Sequence, residues 1–291
     1  MTKTAWVFPG QGSQKIGMGI DLLNLPSAQK KLEQANHILG WSVIEICQSE
    51  EEKLSQTLYT QACLYVVESL LADEMFAHSL QPDLVAGHSL GEYVALYVAG
   101  VFDFETGLKL VQKRAELMSN ATGGQMAALM GFDQKQLDEK LQQIPDVVLA
   151  NDNNSAQVVI SGTPEAVENL LGQVKAKRAV KLNVSGAFHS PLMQSASAEF
   201  QHILESVEFT DAKFPIISNF EPTPTQDAEI IKQRLYQQMT NGVRWRETSL
   251  KMEEEGIEKV IEIGPGKVLT GLIKRTCGNL KLVNVNSLEQ I

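Results

Sequence analysis

Short apolar runs alternate with longer stretches of helical spacing over the first hundred positions. Thr4–Phe8 (TAWVF) is β-rich and stops at Pro9-Gly10, and Asp83–Ala86 (DLVA) is a second run, closed by Gly87. Runs of four or five such residues bounded by turn formers read as buried strands. Between them Ser27–Leu39 and Thr60–Ser79 read as helices, the second amphipathic from Leu64, Val67, Leu70, Leu71 and Met75 at three- and four-residue spacing. Leu90–Ala99 follows the second strand directly, and a further helix runs from Asp103, a fitting N-cap, to Asn120. Strand and helix in alternation predict an α/β domain with a mainly parallel sheet.

After Gly123-Gly124 the order changes. Strand (Met126–Gly131), helix (Asp133–Gln143), strand (Val147–Ala150), loop, strand (Gln157–Ser161), helix (Thr163–Lys175) and strand (Ala179–Val184) spell β-α-β-β-α-β. That is the ferredoxin-like motif, a unit able to stand as an insert within a larger domain. The expected organisation is a large subdomain of residues 1–123 and 187–291 and a small one of 124–186. The remainder returns to α/β order, with helices at Pro191–Ser206 and Asp227–Met239, strands near Pro215–Asn219 and at Lys259–Ile263, and a Gly264-Pro265-Gly266 turn before helix Lys267–Arg275.

Composition narrows the function more than the fold. Acidic residues number 35 against 25 basic ones, a net charge of −10, which disfavours phosphate backbones and anionic lipid as partners. Cys47, Cys63 and Cys277 are odd in number and lack a CxxC pair, as expected of free thiols in a reducing compartment. The longest apolar stretch, Tyr93–Phe102, is about half of a membrane span. A cytoplasmic protein, without nucleic acid or membrane as partner, is expected.

Gly87-His88-Ser89-Leu90-Gly91 is a GxSxG sequence with a strand before it and a helix after it. In a nucleophile elbow the serine occupies a strained strand-to-helix turn, and the helix start offers free amides to an oxyanion. A capping serine in a tight turn would account for Ser89 but not for the second glycine. Among the five histidines, His88 adjoins the serine and would point elsewhere, while His37, His78 and His202 lie on or near solvated helical surface. His189, after Gly186-Ala187-Phe188 where the insert hands back to the main domain, is the candidate base. Asp152 is the best available triad acid, and a Ser-His dyad oriented by a backbone carbonyl is equally consistent.

The helix after the elbow carries a cation on its apolar side. At about 100° per residue from Leu108, residues Leu117, Leu110, Met118, Val111 and Ala115 fill the arc from about 180° to 340°, and Arg114 falls inside it at about 240°. Lys109, Gln112, Lys113 and Glu116 supply a separate polar face. A buried guanidinium needs an anionic partner. Either an internal carboxylate pairs with it, or the anion arrives on an acyl substrate and is gripped by the planar fork.

With Ser89, Arg114 and His189 assembled, the sequence resembles the malonyl-CoA:acyl carrier protein transacylases over essentially its full length. The motifs are Phe8-Pro9-Gly10-Gln11-Gly12-Ser13-Gln14, Gly87-His88-Ser89-Leu90-Gly91-Glu92, Gln112-Lys113-Arg114, Asn151-x-Asn153 with Gln157-Val158-Val159-Ile160-Ser161-Gly162, Gly186-Ala187-Phe188-His189-Ser190, and Glu262-Ile263-Gly264-Pro265-Gly266-Lys267. The resemblance implies a hydrolase-like core with a ferredoxin-like insert. It also implies a ping-pong transfer of malonyl from coenzyme A through Ser89 to the phosphopantetheine of an acyl carrier protein, for polyketide or fatty acid synthesis.

In that scheme His189 is base and then acid, the amides of Gln11 and Leu90 form the oxyanion hole, Arg114 binds the malonyl carboxylate, and the Gln238 carbonyl orients His189. Asn153 and Gln157 are expected to support the site, and Phe188 to restrict it to malonyl. Asn154 departs from the serine of many relatives, with no loss of activity expected. No metal or redox cofactor is implied, and a monomer is expected. Residues near Gly91-Glu92-Tyr93 and Gly100–Gly107 resemble the stand-alone enzymes that serve polyketide synthases in trans. The alternative is an acyl hydrolase acting on carrier-protein thioesters. Lys177, Arg178, Lys181, Arg244, Arg246, Lys274 and Arg275 are candidates for a basic carrier-docking patch.

Overall fold

The computed structural model describes residues 2–291. Its strands are β1 (Thr4–Phe8), β2 (Leu84–Gly87), β3 (Gln125–Phe132), β4 (Val147–Asn154), β5 (Gln157–Gly162), β6 (Ala176–Lys181), β7 (Ile216–Ile217), β8 (Lys259–Ile263) and β9 (Lys281–Val285). The helices are α1 (Pro26–Leu39), α2 (Val43–Cys47), α3 (Glu51–Leu54), α4 (Thr57–Ala77), α5 (Gly91–Val98), α6 (Phe104–Asn120), α7 (Gln134–Gln143), α8 (Pro164–Gln173), α9 (Gln194–Glu205), α10 (Ala228–Gln238), α11 (Trp245–Glu254) and α12 (Val268–Ile273).

Two sheets result, and the fold is mixed α/β. The larger is all parallel in the order β7-β2-β1-β8-β9, and the smaller is antiparallel in the order β4-β5-β3-β6. β1 and β2 are buried along nearly their whole length, which suits a parallel sheet covered on both faces. In the large sheet, β1 and β2 pair in register from Ala5 opposite Leu84 to Phe8 opposite Gly87, so Pro9-Gly10 and His88-Ser89 leave the same edge side by side. Carboxyl ends of neighbouring parallel strands are where such sheets place ligands.

The small sheet is tied to the rest beside this edge. Val243, in the segment after α10, bridges Asn151 of β4 in parallel, with Val243 N donating to Ala150 O (2.8 Å) and Asp152 N to Val243 O (2.9 Å). The end of α10 is thereby held over the carboxyl edge of the large sheet.

Several sequence expectations are corrected. α4 is not amphipathic: every residue from Thr60 to Ala72 is buried, because α1, α2, α3, α5, α6 and β8 enclose it. β4 runs through Asn154, so Asn151–Asn154 is strand and not loop, with irregular pairing to β5 on the way. β6 is Ala176–Lys181, three residues earlier than its apolar pattern suggested, a register fixed by pairing with β3. The helix expected from Pro191 begins as a 3-10 turn, Pro191–Met193, before α9. α2, α3, α11 and β9 lie outside the elements that the sequence pattern predicts. The N-cap at Asp103 is present, its carboxylate accepting from Thr106 N at 2.8 Å, a contact worth about 1 kcal/mol.

Candidate active site

β2 delivers the chain into a bend that only glycines permit. A Cβ on Gly91 would lie 2.0 Å from the Phe8 carbonyl oxygen, and one on Gly87 would lie 1.9 Å from the Gly91 carbonyl carbon. Strand and helix can therefore cross at backbone contact only with both glycines present. Ser89, between them, has φ 53°, and His189 has φ 55°. Non-glycine residues held in the left-handed region persist where surrounding structure over-determines them, as at active sites.

These two residues meet. Ser89 Oγ lies 2.8 Å from His189 Nε2, while His189 Nδ1 lies 2.9 Å from the Gln238 carbonyl and 3.2 Å from that of Asn241. A carbonyl can only accept, so Nδ1 carries the proton and Nε2 is free to accept from the Ser89 hydroxyl. Burial, and then the nearby Arg114 charge, push His189 down to about 3, so its imidazole is neutral.

Arg114 is 1% exposed. Its Nη1 donates to Gln61 Oε1 (2.6 Å), and its Nη2 to Gln238 Oε1 (3.0 Å) and Ser89 Oγ (3.1 Å). The guanidinium stands 5.3 Å over the Tyr93 ring. No carboxylate among the described residues forms an ion pair with it. Glu92 stops one residue short: its Oε2 accepts from Gln238 Nε2 at 2.7 Å. Burial raises the Glu92 carboxyl to about 7, opposed by bonds from Gln238 and Asn219.

A cavity of about 210 Å³ opens on Ser89, His189 and Arg114. Gln11, Leu90, Asn153, Gln157 and Phe188 all line it, together with apolar residues of α12 and the small sheet. The backbone N–H groups of Gln11 and Leu90 donate to no protein acceptor among the described residues. Asn153 Oδ1 sits 2.9 Å from His88 Nε2, which turns the His88 ring away from Ser89. A larger hollow, about 510 Å³ beside Asp73 and Asp103, contains none of these residues.

Other candidates lie elsewhere. Asp152 does not orient His189: on β4 its carboxylate pairs with Arg246 at 2.7 Å, and the imidazole has backbone partners instead. Within the basic patch Arg244 is neutralised by Glu247, Arg246 by Asp152 and Lys181 by Glu168. Sequence reasoning missed Gln61, the Gln238 side chain and Asn219. Gln61 carried a usable signal, a polar residue beside the apolar run Ala62–Val67, the same anomaly that exposed Arg114. Asn219 ends the segment after β7 at the sheet's carboxyl edge, a topological cue invisible before strand order is known.

Residues 5–288 match the family model described as an acyl transferase domain. The malonyl CoA-acyl carrier protein transacylase of Synechocystis sp. is 57% identical over 99% of both chains, and its crystal structure superposes with a TM-score of 0.98, covering 99% of this chain and 98% of that one. A polyketide biosynthesis malonyl CoA-acyl carrier protein transacylase of Bacillus subtilis is 42% identical over 93% of this chain and 96% of its own. The malonyl-transacylase solved in complex with a type II polyketide synthase acyl-carrier protein is 37% identical, with a TM-score of 0.93 over 99% of this chain and 97% of that one.

Proposed function

Because the chain belongs to the acyl transferase family, we propose that its cavity carries malonyl from coenzyme A to the phosphopantetheine thiol of an acyl carrier protein. It is a malonyl-CoA:acyl carrier protein transacylase, with malonyl-CoA and the carrier as its partners, in fatty acid or polyketide synthesis. The observation that carries this reading is a buried guanidinium held only by neutral groups, 3.1 Å from the nucleophile's oxygen. A hydrolase of neutral acyl chains gains nothing from such a charge, whereas a malonyl ester places a carboxylate there.

In the first half-reaction the Ser89 hydroxyl gives its proton to His189 Nε2 as Oγ attacks the thioester carbonyl. The oxyanion is taken by the amides of Gln11 and Leu90, whose N–H groups are uncommitted, and each such donor is worth about 2.7–4 kcal/mol. Collapse breaks the C–S bond, and the proton on His189 leaves with the coenzyme A thiol. The carrier's thiol then repeats the sequence in reverse roles. The backbone carbonyl of Gln238 keeps His189 in one tautomer throughout, the task an acid performs in a triad. Arg114 fixes the free carboxylate and hence the ester's orientation, Phe188 narrows the acyl site, and Asn153 and Gln157 brace the wall opposite.

The fold reading that goes with this is a hydrolase-like core, residues 1–123 and 187–291, carrying a ferredoxin-like subdomain at 124–186. Buried, free Cys47, Cys63 and Cys277 suit a cytoplasmic setting. Intact-mass measurement after mixing with malonyl-CoA tests the reading. One malonyl adduct is expected, lost in Ser89→Ala and discharged onto holo carrier protein; no adduct on the unaltered protein, or discharge to water alone, refutes it.

A further inference from the structure

Both backbone groups of Ser89 are held by side chains that the reaction scheme does not use. The ladder between β1 and β2 ends where His88 N donates to Phe8 O (2.9 Å), so Ser89 N–H lies beyond it. Asn219 Oδ1 accepts from that N–H at 2.6 Å, while Asn219 Nδ2 donates to Gly87 O at 2.5 Å. One carboxamide thus grips the bend on both sides of His88. Asn219 itself is 2% exposed and fixed at both ends of its backbone: its N–H donates to Glu92 Oε2 (3.3 Å) and its carbonyl accepts from Arg244 N (3.0 Å). Glu92 Oε2 also accepts from Gln238 Nε2, which in turn donates to Ser89 O at 2.9 Å. A single buried carboxyl oxygen therefore anchors both residues whose carboxamides hold the nucleophile's N–H and C=O, Asn219 through its backbone N–H and Gln238 through its Nε2.

We propose that Asn219, anchored by Glu92, is a positioning residue that keeps the left-handed Ser89 turn in its reactive shape. Asn219 touches neither acyl group nor thioester. Its bonds set the direction of the 88–89 peptide, and through it the line from Ser89 Oγ to His189 and of Leu90 N–H to the oxyanion. A displacement of about 1 Å at a reacting centre can cost about 100-fold in rate. The carboxamide is suited to this because it must both accept from Ser89 N–H and donate to Gly87 O. A carboxylate can only accept, but a protonated carboxyl does both.

The inference rests on the reading above only in taking Ser89 as nucleophile, and the test separates the two. Asn219→Ala and Asn219→Asp are compared with the unaltered protein for malonyl loading from malonyl-CoA and for labelling by a serine-directed fluorophosphonate, at pH 5.5 to 8. Asn219→Ala is expected to slow both by about 10- to 100-fold, with KM for malonyl-CoA within about 3-fold because Arg114 and the cavity wall are untouched. Asn219→Asp, relative to the unaltered protein, should recover as pH falls and the new carboxyl protonates. Glu92 from α5, His88 from the bend and Arg244 from the start of α11 surround position 219, with Arg114 and His189 beyond Ser89. Asn219→Ala keeps all of them and shows what they contribute. Rates within 3-fold of the unaltered protein in Asn219→Ala overturn the proposal, as does an Asn219→Asp ratio that stays lowered and flat from pH 5.5 to 8, whereas a ratio near one throughout shows a carboxyl that remains protonated and supports it. The second result decides alone should Asn219→Ala fail to fold. Fluorophosphonate labelling without malonyl loading in the unaltered protein would refute the malonyl reading and leave this inference to the labelling rates.

Discussion

Arg114→Ala should separate a diacid substrate from a neutral one. Of the five N–H groups of a guanidinium, three are committed to Gln61, Gln238 and Ser89 and the Nε–H is buried without a partner, which leaves one on Nη1 for an incoming carboxylate, along with the one that Ser89 Oγ releases on acylation. A unit charge about 4 Å from another is worth about 4 kcal/mol at the effective dielectric of protein sites, before desolvation. Truncating one partner of such a buried pair costs about 2–5 kcal/mol, so kcat/KM for malonyl loading should fall by about 30- to 5,000-fold. Acetyl has no carboxylate to lose. The change also removes the second largest of the three causes that hold His189 near 3, after burial and ahead of the His88 charge, which strengthens the base, so acetyl loading should stay level or rise. Timed intact-mass measurement of adduct on Ser89, with malonyl-CoA and acetyl-CoA in parallel, reads both. Thermal denaturation of the variant fixes the folded fraction, since Gln61 and Gln238 each lose a donor. Malonyl loading within threefold of the unaltered protein, or an equal fall for both acyl groups, would refute the carboxylate clamp.

Two further outcomes follow from the same electrostatics. His189 is lowered from 6.5 to about 3 in the folded protein, so the stability tied to its neutral form is fully present above pH 6.5 and is lost as pH falls toward 3; malonyl loading should accordingly show no histidine limb between pH 8 and 5, and a half-loss near 6.5 that persists in Glu92→Gln, which removes any contribution of the Glu92 carboxyl, would contradict the tautomer and burial given to His189. Gln61→Glu places a carboxylate at the 2.6 Å contact with Arg114, and should raise the denaturant midpoint while cutting malonyl kcat/KM at least tenfold; unchanged loading with the midpoint raised would mean that Arg114 does not bind substrate.

The parts legible in the sequence are those set by local chemistry. The elbow is written in five consecutive residues because backbone contact at Gly87 and Gly91 leaves no alternative side chain. Arg114 was legible because a charge within an apolar arc breaks the period of its own helix. What stayed hidden depends on contacts between distant segments. α4 reads as amphipathic on its own leucines and valines, yet its polar positions Gln61, Glu68 and Ser69 are buried in a helix packed against six other elements. β4 reads as ending at Ala150 because Asn151–Asn154 are turn formers by propensity; pairing with β5 and with Val243 overrides that. Asp152 followed the same error, a loop acid on the sequence and a strand residue paired with Arg246 in the fold.

The arrangement around Arg114 also explains why three carboxamides, and not carboxylates, crowd Ser89 and its neighbours. A guanidinium buried without any acceptor would cost several kcal/mol, and one paired to a protein carboxylate would be stable but closed to substrate. Gln61 and Gln238 resolve this by giving oxygen acceptors that carry no net charge, so the cation is oriented and still electrostatically open. Glu92, the acid whose charge acts on Arg114 among the described residues, is kept behind the Gln238 amide, and burial raises its carboxyl to about 7, which favours its neutral form. Asn219 extends the pattern to the bend itself, where a carboxylate would repel Gly87 O. Neutral polar groups thus hold Ser89 and Arg114 in place while leaving unfilled the one interaction that a diacid would supply, so on the proposed reading selectivity for the acyl group is tied to the same bonds that set the geometry of Ser89.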